Sequence, residues 1–125
     1  MSRTAVVVFS DPQSGGDEAL GRALNALFLT HELEEKDQDV ALIFQGAGTR
    51  WPAVLGRPDH PGNPIYLAVQ PRIAGVCGGC ADVFGATEEL KDSGIPLLRD
   101  RHVPGTSGII DLSRYLDEGY RLVLF

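Results

Sequence analysis

Short, unbroken apolar runs recur along the chain and predict buried β-strands. Strands that are apolar on both faces are typical of parallel sheets, because helices cover both sides of such sheets. The fourth run contains Pro96, so we expect that strand to be short or to lie near a sheet edge. The five runs are residues 5–9, 40–44, 73–76, 95–98 and 122–125.

Helical patterns separate these runs. After Asp17, which we expect to be an N-cap, apolar side chains recur at helical spacing as far as His31. The alternation of strands and helices predicts a single domain, residues 1–125, with a three-layer α/β/α sandwich around a five-stranded, mainly parallel sheet. The shorter predicted helices run between Thr49 and Gly56, from Asn63 to the residue before Pro71, and over residues 78–84, 87–93 and 107–118.

Composition narrows the function classes. The 125 residues are 43% hydrophobic and carry a net charge of −6, so we expect a globular domain that does not bind nucleic acid. No apolar run approaches the roughly 18 residues that span a bilayer, and the first run is too short for a signal peptide. We therefore expect a cytoplasmic protein with no membrane contact, whose two cysteines serve chemistry or packing rather than a disulfide framework.

The sequence Cys77-Gly78-Gly79-Cys80 follows the third predicted strand and opens a helix. A helix N-terminus carries partial positive charge and free N–H groups, which favour the reactive thiolate form of Cys77. The two glycines would leave these N–H groups open to an anion or a persulfide. Cysteines at positions i and i+3 are also near enough to pair as a disulfide.

Other interpretations of the two cysteines remain open. Both would be small buried hydrophobes if they followed the usual pattern of free cysteines. A zinc site would need two further ligands, and there is no second CxxC or paired-histidine motif, so we expect no metal. A dithiol redox pair is a third interpretation, on a scaffold other than that of thioredoxin, because the motif follows the third strand.

A glycine-rich loop follows the second predicted strand. Its residues Gly46, Gly48 and Thr49 resemble a phosphate cradle. The loop lacks the spacing of a dinucleotide fingerprint, so we expect no cofactor, and a simple turn into a helix is the competing interpretation.

A cationic loop follows the fourth predicted strand. Strands of a parallel sheet end at one edge, where α/β proteins place their sites, so Arg99, Arg101 and His102 would form the positive side of a pocket beside Cys77. A solvated loop is the competing interpretation. The predicted substrate-binding residues are thus Gly46, Gly48, Thr49, Gly78, Gly79, Arg99, Arg101 and His102.

Three segments resemble the DsrE/DsrF-like family of sulfur-relay and YchN-like proteins. They are residues 44–51 (FQGAGTRW), 75–86 (GVCGGCADVFGA) and 116–125 (LDEGYRLVLF). The resemblance implies a five-stranded parallel α/β/α domain in a homo-oligomer, often a trimer or hexamer. It also implies that a cysteine at the end of the third strand carries persulfide sulfur, a position that Cys77 matches. Cys80 is a departure from relay subunits with one acceptor cysteine and resembles a CxxC-containing branch.

We therefore predict a small sulfurtransferase-like sulfur carrier. Cys77 would accept and transfer sulfane sulfur, Cys80 would be an accessory thiol, and a sulfur donor or acceptor protein would be the partner. The alternatives are a dithiol redox protein that uses both cysteines and a non-enzymatic, oligomeric ligand-binding protein. The oligomer is also favoured by the apolar last strand and by a further group of apolar residues, Trp51, Ile65, Tyr66 and Leu67.

Overall fold

The computed structural model describes residues 2–125, in which five strands form one parallel sheet. The spatial order is β4-β3-β2-β1-β5, so the first strand lies between the second and the last. This confirms the predicted five-stranded sheet. The strands are β1 (Arg3–Val8), β2 (Asp39–Phe44), β3 (Ile73–Cys77), β4 (Leu97–Leu98) and β5 (Tyr120–Leu124).

Helices cover both faces of the sheet, as the sandwich prediction requires. A 3₁₀ turn, Gly46–Arg50, leads from β2 into the second helix. The α-helices of the described residues are α1 (Gly16–Glu35), α2 (Trp51–Leu55), α3 (Asn63–Val69), α4 (Gly78–Val83), α5 (Thr87–Leu90) and α6 (Leu112–Asp117).

The direction of each step between strands decides which face a helix covers. From β1 to β4 every step moves the same way across the sheet, so right-handed crossovers place the intervening helices on one face. The step from β4 to β5 returns past three strands and therefore places α6 on the opposite face. Two separate cores result. Val6, Leu27 and Phe44 belong to the α1-side core, and Ile43 and Cys77 to the smaller α6-side core.

The connection from β4 to β5 is less helical than the sequence indicates. A helix was expected over residues 107–118, but α6 begins only at Leu112. Gly108 has a φ of +106°, and the backbones of Arg101 and Ile109 exchange hydrogen bonds of 2.8 and 2.9 Å. Because both features are incompatible with an α-helix, a loop crosses the carboxyl edge of the sheet before α6 starts.

Two aromatic side chains expected at a subunit contact lie inside the protomer instead. Trp51 and Tyr66 each expose 2% of their surface, and the Trp51 indole N–H donates to the Ser10 carbonyl at 2.7 Å. That part of the oligomer argument is wrong, because α2 and α3 turn both rings onto the α1-side core. Leu67 does face outward and is 53% exposed.

Helix α1 also begins differently from the prediction. Gly15, not Asp17, is its N-cap, and no side chain caps the helix. Asp17 lies in the first turn, where its negative charge interacts favourably with the helix dipole. None of the helices in residues 2–125 combines the length and the apolar character needed to cross a membrane.

Candidate functional site

The two cysteines lie at the carboxyl end of β3 and at the start of α4. Cys77 is the last residue of the strand and the N-cap of the helix, and Cys80 lies one turn further on. The structure reverses the accessibility expected from the sequence: Cys77 is fully buried in the α6-side core, whereas Cys80 is partly exposed. The thiol that was expected to be open at the helix N-terminus is therefore the sealed one.

Cys77 lies in the α6-side core with Ile43 and Ile110, and the loop after β4 packs on the two glycines that follow it. A β-carbon on Gly79 would lie 2.8 Å from Ile109 Cγ2 and 3.0 Å from the Gly108 carbonyl oxygen, and one on Gly78 would overlap the Arg99 side chain. We call residues 99–109 the strap. The two glycines thus provide room for the strap, so they do not leave the helix N–H groups open to an anion.

The strap is tied to α4 by a cluster of side chains around Asp82. This carboxylate accepts hydrogen bonds from the Arg99 Nη1 at 2.9 Å, from the Thr87 hydroxyl at 2.6 Å and from the Ser107 hydroxyl. Arg99 also donates to Ser107. The hydrogen bonds, that of Arg99 first, hold the pKa of Asp82 far below its usual range, so the carboxylate is ionised at neutral pH. We call Asp82, Arg99 and Ser107 the clasp.

Arg99 is the predicted cation that does lie beside the dithiol. Its hydrogen bond with Asp82 raises its pKa, and Cys77 contributes in the same direction through its charge. The Arg99 side chain is 31% exposed and packs on Gly78. Of the three predicted cations, it is the one whose charge interacts with Cys77.

The other two predicted cations lie elsewhere on the loop. Arg101 borders a separate pocket of about 290 Å³ on the α6 side, together with Gln45 and Ile109. His102 is exposed, and no hydrogen bond or ion pair of the described residues engages its side chain. The predicted cationic group is thus divided, and only Arg99 adjoins the cysteines.

Cys80 has a mixed electrostatic environment. Burial raises the pKa of its thiol to about 11, and the neighbouring Cys77 acts in the same direction. Hydrogen bonding from the Gly46 backbone N–H acts in the opposite direction. The thiol is therefore protonated at neutral pH, but one backbone dipole is placed to stabilise negative charge that develops on this sulfur.

The glycine-rich loop contributes one residue to this site. Gly46 has a φ of +58°, a backbone conformation that residues other than glycine rarely adopt. This turn brings the Gly46 N–H to Cys80. Gly48 and Thr49, however, are buried. A β-carbon on Gly48 would lie 2.9 Å from the Val8 carbonyl carbon, and the Thr49 hydroxyl donates to the Gly46 carbonyl at 2.9 Å. These two residues shape the turn and have no surface to offer a ligand.

The 3₁₀ turn is joined to α4 and to the loop after β1 by Arg50. Its guanidinium donates to the Phe84 carbonyl and to the Asp11 carboxylate, both at 3.0 Å, and lies 5.6 Å from the Phe84 ring centroid. Arg50 also borders a larger cleft of about 500 Å³ on the α1 side, with Trp51 and His60. Neither cysteine lines that cleft.

Asp82 and Ile109 are the residues of the site that sequence reasoning missed. Asp82 was the second residue after Cys80 and carried a usable signal, since an acid one turn into a helix can pair with a cation from the next loop. Ile109 lay in a segment interpreted as helix, so no sequence signal placed it over the glycines. Across residues 2–125, no three His, Cys, Asp or Glu side chains group in a way that would bind a metal ion.

Comparison with known structures defines the class of this fold. The chain superimposes on the crystal structure of ychN protein from E. coli over all of both chains, with a TM-score of 0.55 and 20% identity. It also superimposes on BT1422 from Bacteroides thetaiotaomicron, a conserved protein of unknown function, with a TM-score of 0.58 and 16% identity, over 98% of this chain and 94% of that one. The fold is therefore YchN-like, which is a DsrE-like fold.

A sequence comparison defines the family. The uncharacterized protein MJ0733 from Methanocaldococcus jannaschii is 31% identical over 100 residues, which are 80% of this chain and 77% of that protein. The chain belongs to the same family as MJ0733. No protein-family model matches the sequence.

Proposed function

We propose that the protein is a DsrE-like sulfur carrier that accepts sulfane sulfur on Cys80 and passes it on, with Cys77 as a second thiol. One observation carries the proposal. A partly exposed thiol lies at the carboxyl edge of the sheet, beside a second thiol and a backbone N–H that interacts with its sulfur. A carrier needs one reachable sulfur atom and a group that stabilises charge on it, and both are present.

The transfer step needs no oxidant. The Cys80 sulfur attacks the outer sulfur of a donor persulfide, R–S–SH, and a new S–S bond forms as the old one breaks. The donor leaves as a thiolate with the electron pair of the broken bond and takes up the proton that Cys80 loses. The products are the Cys80 persulfide and R–SH, and the reverse step delivers the sulfur to an acceptor thiol.

Cys80 is a better acceptor than Cys77 for a steric reason. A thiol must be reached by the donor before it can react, and Cys77 has no exposed surface beneath the strap. The predicted division of labour is therefore reversed here: Cys80 is the acceptor, and Cys77 is the accessory thiol. The raised pKa of Cys80 makes its first reaction slow at neutral pH, so a partner that exposes or polarises this thiol would accelerate loading.

A second candidate function follows from the same pair of thiols. Residues three positions apart at a helix start are within disulfide reach, so Cys77 and Cys80 can also act as a dithiol redox pair. The arrangement of one partly exposed and one buried thiol favours this candidate, because the buried thiol would resolve a mixed disulfide formed at the exposed one.

Intact-mass measurement after incubation with a persulfide donor separates these functions. We expect the wild-type protein and Cys77→Ser to gain the mass of one sulfur atom, and Cys80→Ser to gain nothing. Full loading of Cys80→Ser would move the acceptor role to Cys77. Loss of two hydrogen masses with no sulfur adduct at any time, reversed by dithiothreitol, would favour the redox pair, and no change in any variant would favour a non-enzymatic binding protein.

The proposed carrier acts as a homo-oligomer, as a trimer or hexamer, and exchanges sulfur with a donor or acceptor protein. Exposed apolar side chains support the oligomer: Leu124 on the edge strand β5 is 60% exposed, and Val83 on α4 is 76% exposed. Val83 lies one helical turn after Cys80, so a partner bound there would meet the acceptor thiol. Two free thiols suit the reducing cytoplasm, which is the proposed location.

A further inference from the structure

The strap restrains the part of the chain that would have to move if the two cysteines were to bond. The two thiols already interact, and a disulfide would bring their sulfur atoms to about 2.05 Å with a dihedral angle near 90°, so any backbone adjustment falls on Gly78 and Gly79 between them. Ile109 and Arg99 pack on those glycines at contact distance. While the strap is closed, these contacts restrain the first turn of α4.

The clasp ties the strap to α4, while Asp100 ties it to α6 through Arg114 and the Asp111 N–H, both at 3.2 Å. The strap backbone is paired with itself through Arg101 and Ile109, so it can move as one unit. Its side-chain ties to α4 are those of Arg99 and Ser107 to Asp82, which the structure places near the protein surface, with the two charged side chains 31% and 38% exposed. A small number of solvent-accessible polar contacts therefore ties the strap to α4.

We propose that the clasp decides the fate of a persulfide on Cys80, a proposal that rests on the sulfur-carrier function. With the strap closed, Cys77 is sealed and the persulfide is kept for transfer to an acceptor. With the strap open, Cys77 reacts with it and the sulfur is released as hydrosulfide. Asp82 is thus a positioning residue that acts through Arg99 and Ser107 and sets the ratio of two products.

The release step balances without an external oxidant. The Cys77 sulfur attacks Cys80 Sγ, and a Cys77–Cys80 bond forms as the bond from Cys80 Sγ to the outer sulfur breaks. The outer sulfur leaves with the electron pair as hydrosulfide, and the Cys77 proton passes to solvent. The sulfane sulfur is reduced and the two cysteine sulfurs are oxidised to a disulfide, so the protein delivers one sulfur and then requires a reductant.

Persulfide-loaded Asp82→Asn protein tests the proposal. Asparagine keeps the size of the side chain and removes the charge that holds Arg99. We expect the ratio of hydrosulfide released to persulfide retained to rise about tenfold, the shift that loss of one charge-assisted hydrogen bond produces in an opening equilibrium. Ser107→Ala is expected to shift the ratio in the same direction by less, and it preserves the charge pair if Asp82→Asn folds poorly.

Matched controls make the result specific. Glu88→Gln removes a carboxylate from the adjacent helix α5, where its partner is the exposed Lys91 at 3.9 Å, and should leave the ratio unchanged. Asp82→Glu should restore part of the wild-type ratio, since it keeps the charge. Addition of Cys77→Ser to Asp82→Asn should abolish hydrosulfide release, because release passes through Cys77.

Alkylation of Cys77 provides a readout that does not depend on persulfide transfer. In a Cys80→Ser background, Asp82→Asn should label Cys77 with iodoacetamide about tenfold faster than the protein with an intact clasp. If this acceleration is observed but the wild-type protein takes no sulfur from any donor, the strap limits access to Cys77 but the protein is not a sulfur carrier. If persulfide forms but neither the product ratio nor the labelling rate changes in Asp82→Asn, the role of the clasp is overturned.

Discussion

A β-carbon on Gly78 would lie 2.8 Å from the Cζ of Arg99, so these two residues fit together only because position 78 has no side chain. The relationship changes the meaning of the glycines in the motif. They were expected to expose helix N–H groups to a ligand, but they instead accept the strap that seals Cys77. The exposure of the two thiols therefore depends on the strap as well as on α4.

Replacement of Gly79 by alanine tests this packing. The new β-carbon would crowd Ile109 Cγ2 and the Gly108 carbonyl, so Gly79→Ala should lower the free energy of unfolding by about 1–3 kcal/mol despite the better helix propensity of alanine. Gly21→Ala is the matched control, because Gly21 is also helical and a β-carbon there meets nothing within 4 Å. It should raise the free energy of unfolding by about 0.5–1 kcal/mol. Equal effects of both substitutions in urea titrations would contradict the proposed contact.

The reactivity of Cys80 should depend steeply on pH. Because burial raises the pKa of its thiol to about 11, the thiolate fraction increases about tenfold with each pH unit between 7 and 10. The rate of iodoacetamide labelling in the native protein should follow that fraction, since the thiolate is the nucleophile. Labelling that is already maximal below pH 9 would show that the site activates Cys80. Cys80→Ser provides the blank for any reaction at Cys77.

The ion pair of Asp11 and Arg50 should appear in the acid stability of the protein. Burial raises the pKa of Asp11, but hydrogen bonds from the Gln13 N–H and from Arg50 outweigh it, and the net pKa is lowered. A lowered folded-state pKa stabilises the fold above the usual value of 3.8, and this contribution is lost as the pH falls through the folded pKa.

Urea titrations at pH 6 and pH 3 check this expectation. The wild-type protein should lose more of its free energy of unfolding across that interval than Asp11→Asn, which has no carboxyl to titrate at this position. The intrinsic acid sensitivity of the other carboxyls is common to both proteins. Parallel pH dependence of the two proteins would mean that the pair contributes nothing measurable.

The exposed edge of the sheet is expected to mediate assembly. Leu124 lies on β5, which has no strand on its outer edge within residues 2–125, and its side chain is 60% exposed. Leu124→Lys should reduce the mass measured by light scattering, because a charge on an edge strand opposes association. Arg121→Lys on the same strand keeps the charge and should leave the mass unchanged. A wild-type mass of 13.4 kDa at micromolar concentration would contradict the proposed oligomer.

The sheet was predictable because its signal is local. Runs such as residues 40–44 are apolar throughout, and the structure buries Val40 to Phe44 in β2. The alternation with helices then fixes a parallel arrangement through the handedness of crossovers. The start of α6 was not predictable in the same way, since Ile109 and Leu112 have helical spacing. The backbone pairing of Ile109 with Arg101, a contact made only in the folded chain, prevents the helix there.

The position of the site was easier to predict than its accessibility. The order of strand, CxxC and helix places both thiols at the carboxyl edge, and Gly46 and Arg99 follow neighbouring strands to the same edge. Which thiol is covered depends on contacts between distant segments, such as the packing of Cys77 with Ile110 and the tie of Ser107 to Asp82 across 25 positions. Spacing rules that work within a helix or strand carry no information about such a contact.

The pairing of β5 with β1 has a consequence for how the chain folds during synthesis. Arg3 lies opposite Tyr120, so β1 acquires one of its two neighbouring strands only when β5, the last strand of this sheet to be synthesised, has emerged from the ribosome. Until then the Val6 and Val7 backbone remains an open template that other nascent chains can join. Translation speed over β5, and chaperones that cover such edges, should therefore affect the yield of native protein more than its final stability.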